Sequence, residues 1–159
     1  MFFEERDPIA VHTLTAAARG ILRDLVKHRG GKSIIEEDNL AIPPKHRKEF
    51  LRKVHESQNF FKHANQERDP EAQIEFRPTL TEVLLLDAVF LCRRLTGLRL
   101  REGEIFRWWF ALHNPDLFVL DQQTKELLSN AAVELNADRV ERRHFYAACQ
   151  RIVSGDEID

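Results

Sequence analysis

The sequence predicts an all-α fold, a single helical bundle with a four-helix core and two additional C-terminal helices. Three observations carry that prediction. Apolar residues recur at steps of three and four along most of the chain, proline, glycine and Asx residues punctuate it at helix-length intervals, and no useful run alternates apolar with polar residues. The 159-residue length suits one core, since domains run to roughly 100–200 residues. Residues 1–154 are therefore expected as one helical domain and the acidic tail 155–159 as disordered.

Asp7-Pro8 starts the first helix, with an N-cap carboxylate before a proline at the first helical position. Val11, Leu14, Ala18, Ile21 and Leu25 then form one apolar seam, expected to face the core, and Arg29-Gly30-Gly31 ends the helix. A loop follows, in which Glu36-Glu37-Asp38 can support a short turn. Gly30-Gly31-Lys32-Ser33 ends like a phosphate loop but lacks the upstream glycine and the preceding strand, so it reads as a loop.

Pro43-Pro44 introduces the second helix, whose seam is Phe50, Val54, Ser57, Phe61 and Ala64. At ~100° per residue, Arg52, His55, Asn59 and His63 fall on the opposite face. Its first half is basic, with Lys45, Arg47, Lys48, Arg52 and Lys53 set against Glu49. A turn-rich loop from Asn65 to Pro78 follows.

Thr79-Leu80-Thr81-Glu82 fits a capping box opening a third helix, apolar almost all round from Val83 to Cys92 and ending near Thr96-Gly97. Such a helix is the buried centre of a bundle. Arg93-Arg94 suits the negative end of its dipole. Asp87 is the one charge inside it, costly unless paired, and His12, Arg19 and Arg23 on the first helix are the candidate partners. Asp87 and His12 are thus the expected buried polar groups.

Arg101 to His113 forms a fourth helix with Ile105, Phe106, Trp109 and Phe110 inward and Trp108 pointing elsewhere, where it can mark an interface. Asp121 caps a fifth, carrying Leu127, Leu128, Ala131, Ala132 and Leu135. After the break at Asn136-Ala137-Asp138, a sixth from about Val140 to Val153 packs Val140, Ala147, Ala148 and Ile152.

A hydrophobic fraction of 43% and a charged fraction of 31% are those of an ordinary globular chain. The net charge of −2 and pI near 6.4 exclude coating of nucleic acid by bulk charge and leave only a local basic patch. Cys92 and Cys149 have no C-x-x-C spacing and read as core residues in a reducing compartment. With no basic n-region before an apolar run and no membrane-length apolar stretch, the expected location is cytoplasmic, away from membranes. No metal-ligand spacing and no cofactor motif stands out, so neither a metal nor a cofactor is expected.

Asn59 and His63, at i and i+4 on the polar face of the second helix, can together orient a phosphate or a ribose hydroxyl, with the imidazole as a general base near neutral pH. The plain alternative is a solvated face. Two R-x-x-x-x-H stretches, Arg23 to His28 and Arg139 to His144, match by chance as readily as by function.

Gln58-Asn59-Phe60-Phe61-Lys62-His63 resembles the R-N-x-x-x-H signature of the HEPN superfamily, small all-helical proteins that often act as metal-independent ribonucleases or nucleotide-binding partners. The resemblance covers about the first two thirds of the chain and departs at the arginine, which is Gln58 here. An uncharged amide cannot make the bidentate cationic contact to phosphate that the resemblance implies for catalysis, so binding survives the change more easily than hydrolysis.

The functional expectation is a homodimeric module binding RNA or a nucleotide on the polar face of the second helix. Gln58, Lys62, Arg52, His55, Lys45, Arg47 and Lys48 are its ligand-binding candidates, with Asn59 and His63 as the catalytic ones if there is chemistry. The alternatives are a ribonuclease with His63 as general base, and a protein-interacting or toxin-neutralising subunit without a small ligand.

Overall fold

A computed structural model describes residues 1–36, 44–62, 71, 73–118 and 120–154. The side chains of Pro44, Ser57, Gln58, Phe61, Lys62, Asp138 and residues 152–154 are outside that set. Six α-helices, α1 (Pro8–His28), α2 (Pro44–Lys62), α3 (Pro78–Thr96), α4 (Arg101–His113), α5 (Gln122–Glu134) and α6 (Arg142–Ser154), make an all-α bundle, with no strand among the described residues. None of the described helices is long and apolar enough to cross a membrane. The expected tail, 155–159, lies outside the described residues.

The bundle is built around α3, on which Val83, Leu84, Leu86, Ala88 and Leu91 are buried. α4 adds Ile105, Phe106, Trp109 and Phe110, the four inward residues its spacing predicts, together with Leu112. On α2 Val54 is fully buried and Phe50 packs against the same core, as their seam predicts. The N-terminal segment also enters the core. Phe2 meets Phe106 and Trp109 edge-on at 5.0 and 5.2 Å, Phe3 stacks on Tyr146 at 4.7 Å, and the Arg142 guanidinium lies 4.4 Å over Phe2.

α1 starts and stops as its sequence dictates. Asp7 accepts from the Ala10 amide at 2.8 Å. At the other end Gly30 (φ 76°) and Gly31 donate to the carbonyls of Lys27 and Val26, a Schellman closure. Gly31 is also required by space, because a Cβ there would lie 2.6 Å from Val26 Cγ1.

The seam expected of α1 is corrected. Leu14, Ile21 and Leu25 are 54%, 64% and 50% exposed, Ala18 is exposed too, and of the five seam residues only Val11 is buried. The inward face is instead Val11, His12, Thr15, Arg19 and Val26. The cause lies on α3, which turns Thr81 and Asp87 toward α1. His12 Nδ1 lies 2.8 Å from Thr81 Oγ1, Arg19 Nε donates to Asp87 Oδ2 at 2.6 Å, and Arg29 Nη1 donates to the Leu95 carbonyl at 3.0 Å. Both sequences climb together through these three rungs, so α1 and α3 are parallel. Leaving Asp87 unpaired in the interior would cost several kcal/mol, and the cation that meets it, Arg19, stands on the polar side of α1, so pairing the two turns that side inward.

Three smaller expectations are also corrected. The Thr79–Glu82 capping box does not form, since Pro78 takes the first helical position, Arg77 is the N-cap without a side-chain bond, and Glu82 pairs with Arg142 at 2.9 Å. On α5, where Asp121 does cap by accepting from the Thr124 amide at 2.9 Å, Leu127 and Leu135 are exposed and only Leu128, Ala131 and Ala132 pack inward. α6 faces the core through Phe145, Tyr146 and Cys149, leaving Ala147 and Ala148 exposed, with Tyr146 stacked on Phe3.

Candidate functional site

The polar face of α2 is described in part. Lys45, His46 and Lys48 are exposed, and none pairs with a carboxylate among the described residues. Arg47 is half-buried and its Nη2 donates to the Ile35 carbonyl at 3.4 Å. Arg52 pairs with Glu56 at 2.8 Å and Lys53 with Glu49 at 3.1 Å. The basic run is thus compensated over its second half, by Glu56 as well as Glu49, while Lys45 and Lys48 near its start have no carboxylate partner among the described residues.

His55 lies near Arg19 and Arg23, and burial together with those two cations lowers its pKa, so the ring is neutral near pH 7. Asn59 is exposed on the same side. The side chains of Gln58 and Lys62, and the whole of His63, lie outside the described residues, as does the juxtaposition of Asn59 with His63.

Asp87 and His12 are buried as expected, and of the three candidate partners for Asp87 it is Arg19 that meets it. Asp87 Oδ1 accepts from the Ile34 amide at 2.9 Å, and Arg19 Nη2 reaches Ser33 Oγ at 3.5 Å. Burial raises the Asp87 carboxyl above its usual range against the opposing pull of Arg19 and the Ile34 amide. Burial also lowers the His12 pKa, in a site closed by the edge of Phe76 at 5.5 Å. Arg23 turns outward to Asp24, donating from Nε and Nη2 at 3.1 and 2.9 Å. Each of these buried groups joins α1 to α3 or to the 33–34 loop, which is a structural role.

A well-formed concavity lies elsewhere. A cleft of about 470 Å³ opens between α3, α4 and α5, a size in the ordinary range for small-molecule sites. Three helical repeats build it. Leu86, Phe90 and Arg93 follow one face of α3, Glu104, Arg107, Trp108 and Ala111 follow one face of α4, and Thr124 and Leu128 come from α5. Phe118 and Leu120 complete the apolar lining, and Arg99 stands at the α3–α4 connection.

Its electrostatics are one-sided. Arg107 is held by Glu104 at 2.8 Å and lies 4.9 Å over the Phe90 ring. Arg93 and Arg99 have no carboxylate partner among the described residues, while the rest of the lining is largely apolar and Trp108 is 61% exposed. Three guanidiniums against one carboxylate beside an apolar lining suit an anion with an apolar body.

None of the described α2 candidates lines this cleft. The sequence signal was present as the i, i+3, i+4, i+7 set Glu104, Arg107, Trp108 and Ala111, on the face of α4 turned away from its buried residues. Of these only Trp108 stands out in the sequence, and Arg93 reads there as a dipole cap. Among the described residues, no three His, Cys, Asp or Glu side chains converge as a metal site.

No protein-family model, curated protein or solved structure matches this chain.

Proposed function

We propose that this protein is a binding module that takes a small amphipathic anion, an aryl or acyl carboxylate or sulfonate, in the cleft between α3, α4 and α5. The observation that carries the reading is the pair of guanidiniums, Arg93 and Arg99, with no carboxylate partner among the described residues, in one cleft with Leu86, Phe90, Phe118 and Leu128. Apart from the charged groups the lining offers one hydroxyl, that of Thr124. A hydroxyl-rich ligand would be left with polar groups unpaired in an apolar cleft, at a cost of ~1–3 kcal/mol each. An apolar-bodied anion meets no such cost.

The test is titration with 8-anilinonaphthalene-1-sulfonate, followed by fluorescence, with displacement by decanoate. A charge-assisted hydrogen bond contributes ~1.5–3 kcal/mol, so Arg93→Gln with Arg99→Gln should weaken sulfonate binding at least tenfold while the melting temperature holds. Equal displacement by uncharged decanol, or unchanged affinity in the double variant, would overturn the reading.

A second reading, RNA or nucleotide binding on α2 in the manner the HEPN resemblance implies, is favoured by Lys45, His46 and Lys48 standing exposed and uncompensated on one helical turn. Reversing Lys45 and Lys48 to Glu should then weaken binding of a labelled RNA oligonucleotide and lower its salt slope by about two. If the site also hydrolyses RNA with His63 as general base, His63→Ala removes cleavage and leaves that salt slope unchanged. The thiols Cys92 and Cys149, both unpaired, support a reducing cytoplasmic setting for either reading.

A further inference from the structure

The exposed stripe of α1 has an internal order that points to its occupant. Between Ala10 and Leu25, the residues within an arc of about 100° are Ala10, Leu14, Ala17, Ala18, Ile21 and Leu25, with no polar residue among them. All six are exposed.

The stripe reads alike from both ends. Ala17 and Ala18 flank its midpoint, Leu14 and Ile21 lie at equal distances on either side of it, Ala10 and Leu25 come next, and Asp7 and His28 close the two ends. A twofold axis through that midpoint sets Leu14 of one copy against Ile21 of the other, Ala17 against Ala18, and Ala10 against Leu25. This is the condition for a closed isologous contact, in which residue i meets residue j and j meets i.

We infer that α1 packs antiparallel against α1 of a second copy of this chain, about a twofold axis passing between Ala17 and Ala18.

Charge chooses antiparallel over parallel. α1 begins at the Asp7 carboxylate and carries Lys27 and His28 in its last turn. Antiparallel pairing brings each acidic end to a basic end and opposes the two helix dipoles, whereas parallel pairing sets like ends together. The small residues at the crossing point let the axes approach to ~8 Å, the close end of helix packing. The stripe is about 22 Å long by helical rise. One such helix pair buries less than the ~800 Å² per partner of a standard interface, so the dimer should form and dissociate with concentration. The homodimer expected from the sequence thus takes its twofold contact on α1, and it stands independently of any ligand.

Disulfide trapping in a Cys92→Ser, Cys149→Ser background tests this directly. Leu14→Cys combined with Ile21→Cys should give a covalent dimer under mild oxidation. Leu14→Cys alone should not, because in the antiparallel pair its two copies are about 10 Å apart along the axis, beyond the reach of a disulfide. Cross-linking of Leu14→Cys alone as fast as the double variant would mean parallel pairing and overturn the inference. Sedimentation equilibrium supplies the second measurement. The parent chain should pass from monomer to dimer between about 1 μM and 1 mM, a range fitting a modest interface, and Ile21→Glu should stay monomeric with an unchanged melting temperature. A parent chain that is monomeric throughout, or an Ile21→Glu variant that dimerises like it, would equally overturn it.

Discussion

α1 and α3 lie side by side and run in the same direction, yet they bury opposite kinds of surface. α3 is apolar around most of its girth and carries Thr81, Glu82 and Asp87 inward among leucines. α1 has a clean amphipathic stripe and turns it to solvent, burying His12, Thr15 and Arg19. Amphipathicity says that a helix has two faces, and the neighbour decides which one goes in. Here a single carboxylate at the centre of α3 demands a cation, and the residue that supplies it sits on the polar side of α1.

The largest test of that account is Asp87→Asn. Arg19 would then keep its charge in the interior without a counter-ion, with Nη1 already lacking a hydrogen-bond partner among the described residues. Breaking a buried pair from one side costs ~3–5 kcal/mol, which chemical denaturation should register as a large fall in midpoint. Replacing both partners, Asp87→Leu with Arg19→Met, should recover most of the loss. If the double variant is no better than the single one, the pair is not what orients α1.

Gly31→Ala comes next, and it tests the end of the same helix. A methyl group would meet the branched, buried side chain of Val26 at 2.6 Å, and overpacking of this kind costs ~1–3 kcal/mol. The same substitution at Gly20 meets nothing within 4 Å. Gly20→Ala should stabilise the helix by up to ~1 kcal/mol, so thermal melts of the two variants should move in opposite directions.

These corrections mark where the sequence is legible. The ends of α1 and the whole of α4 could be read because their signals are local: Asp7-Pro8, Gly30-Gly31, and an inward set of bulky aromatics. Arg19 could be named among three candidates for Asp87, since a buried carboxylate needs a cation within reach. The facing of α1 was not legible, because it depends on what α3 presents from some seventy positions away. The cleft was hidden for the same reason. Arg93, Arg107 and Leu128 come from three helices, and no local pattern declares that they converge. The core role of Phe2 and Phe3 is likewise non-local, resting on Phe106, Trp109 and Tyr146.

His12 gives the comparison a pH signature. Its folded pKa is held below the ordinary value of 6.5 by burial, and that of His55 is lowered as well. In the interval between the folded and unfolded values the unfolded chain binds more protons, so stability falls as pH drops below about 6.5. Each such group contributes at most about 1.4 kcal/mol per pH unit in that interval. In His12→Asn, denaturation midpoints measured between pH 7 and pH 5 should decline less steeply than in the parent. An equal decline would mean that His12 titrates freely in the folded protein and is not sealed against α3.

The smallest effect, that of Leu25→Ala, discriminates most when it is set against equal chemistry on the other helix. Leu84→Ala on α3 removes a fully buried side chain, and such cuts cost ~2–5 kcal/mol. Leu25→Ala on α1 removes the same atoms from a residue that is half exposed, where surface substitutions usually stay near ±0.5 kcal/mol. Both measurements belong at low protein concentration, where the chain is monomeric on the pairing inferred above. Raising the concentration should leave the Leu84→Ala deficit unchanged and enlarge the one for Leu25→Ala, since a contact made only in the dimer stabilises by mass action. A large Leu25→Ala deficit that does not depend on concentration would place the α1 stripe against this chain's own fold, and the contrast between the two helices would collapse.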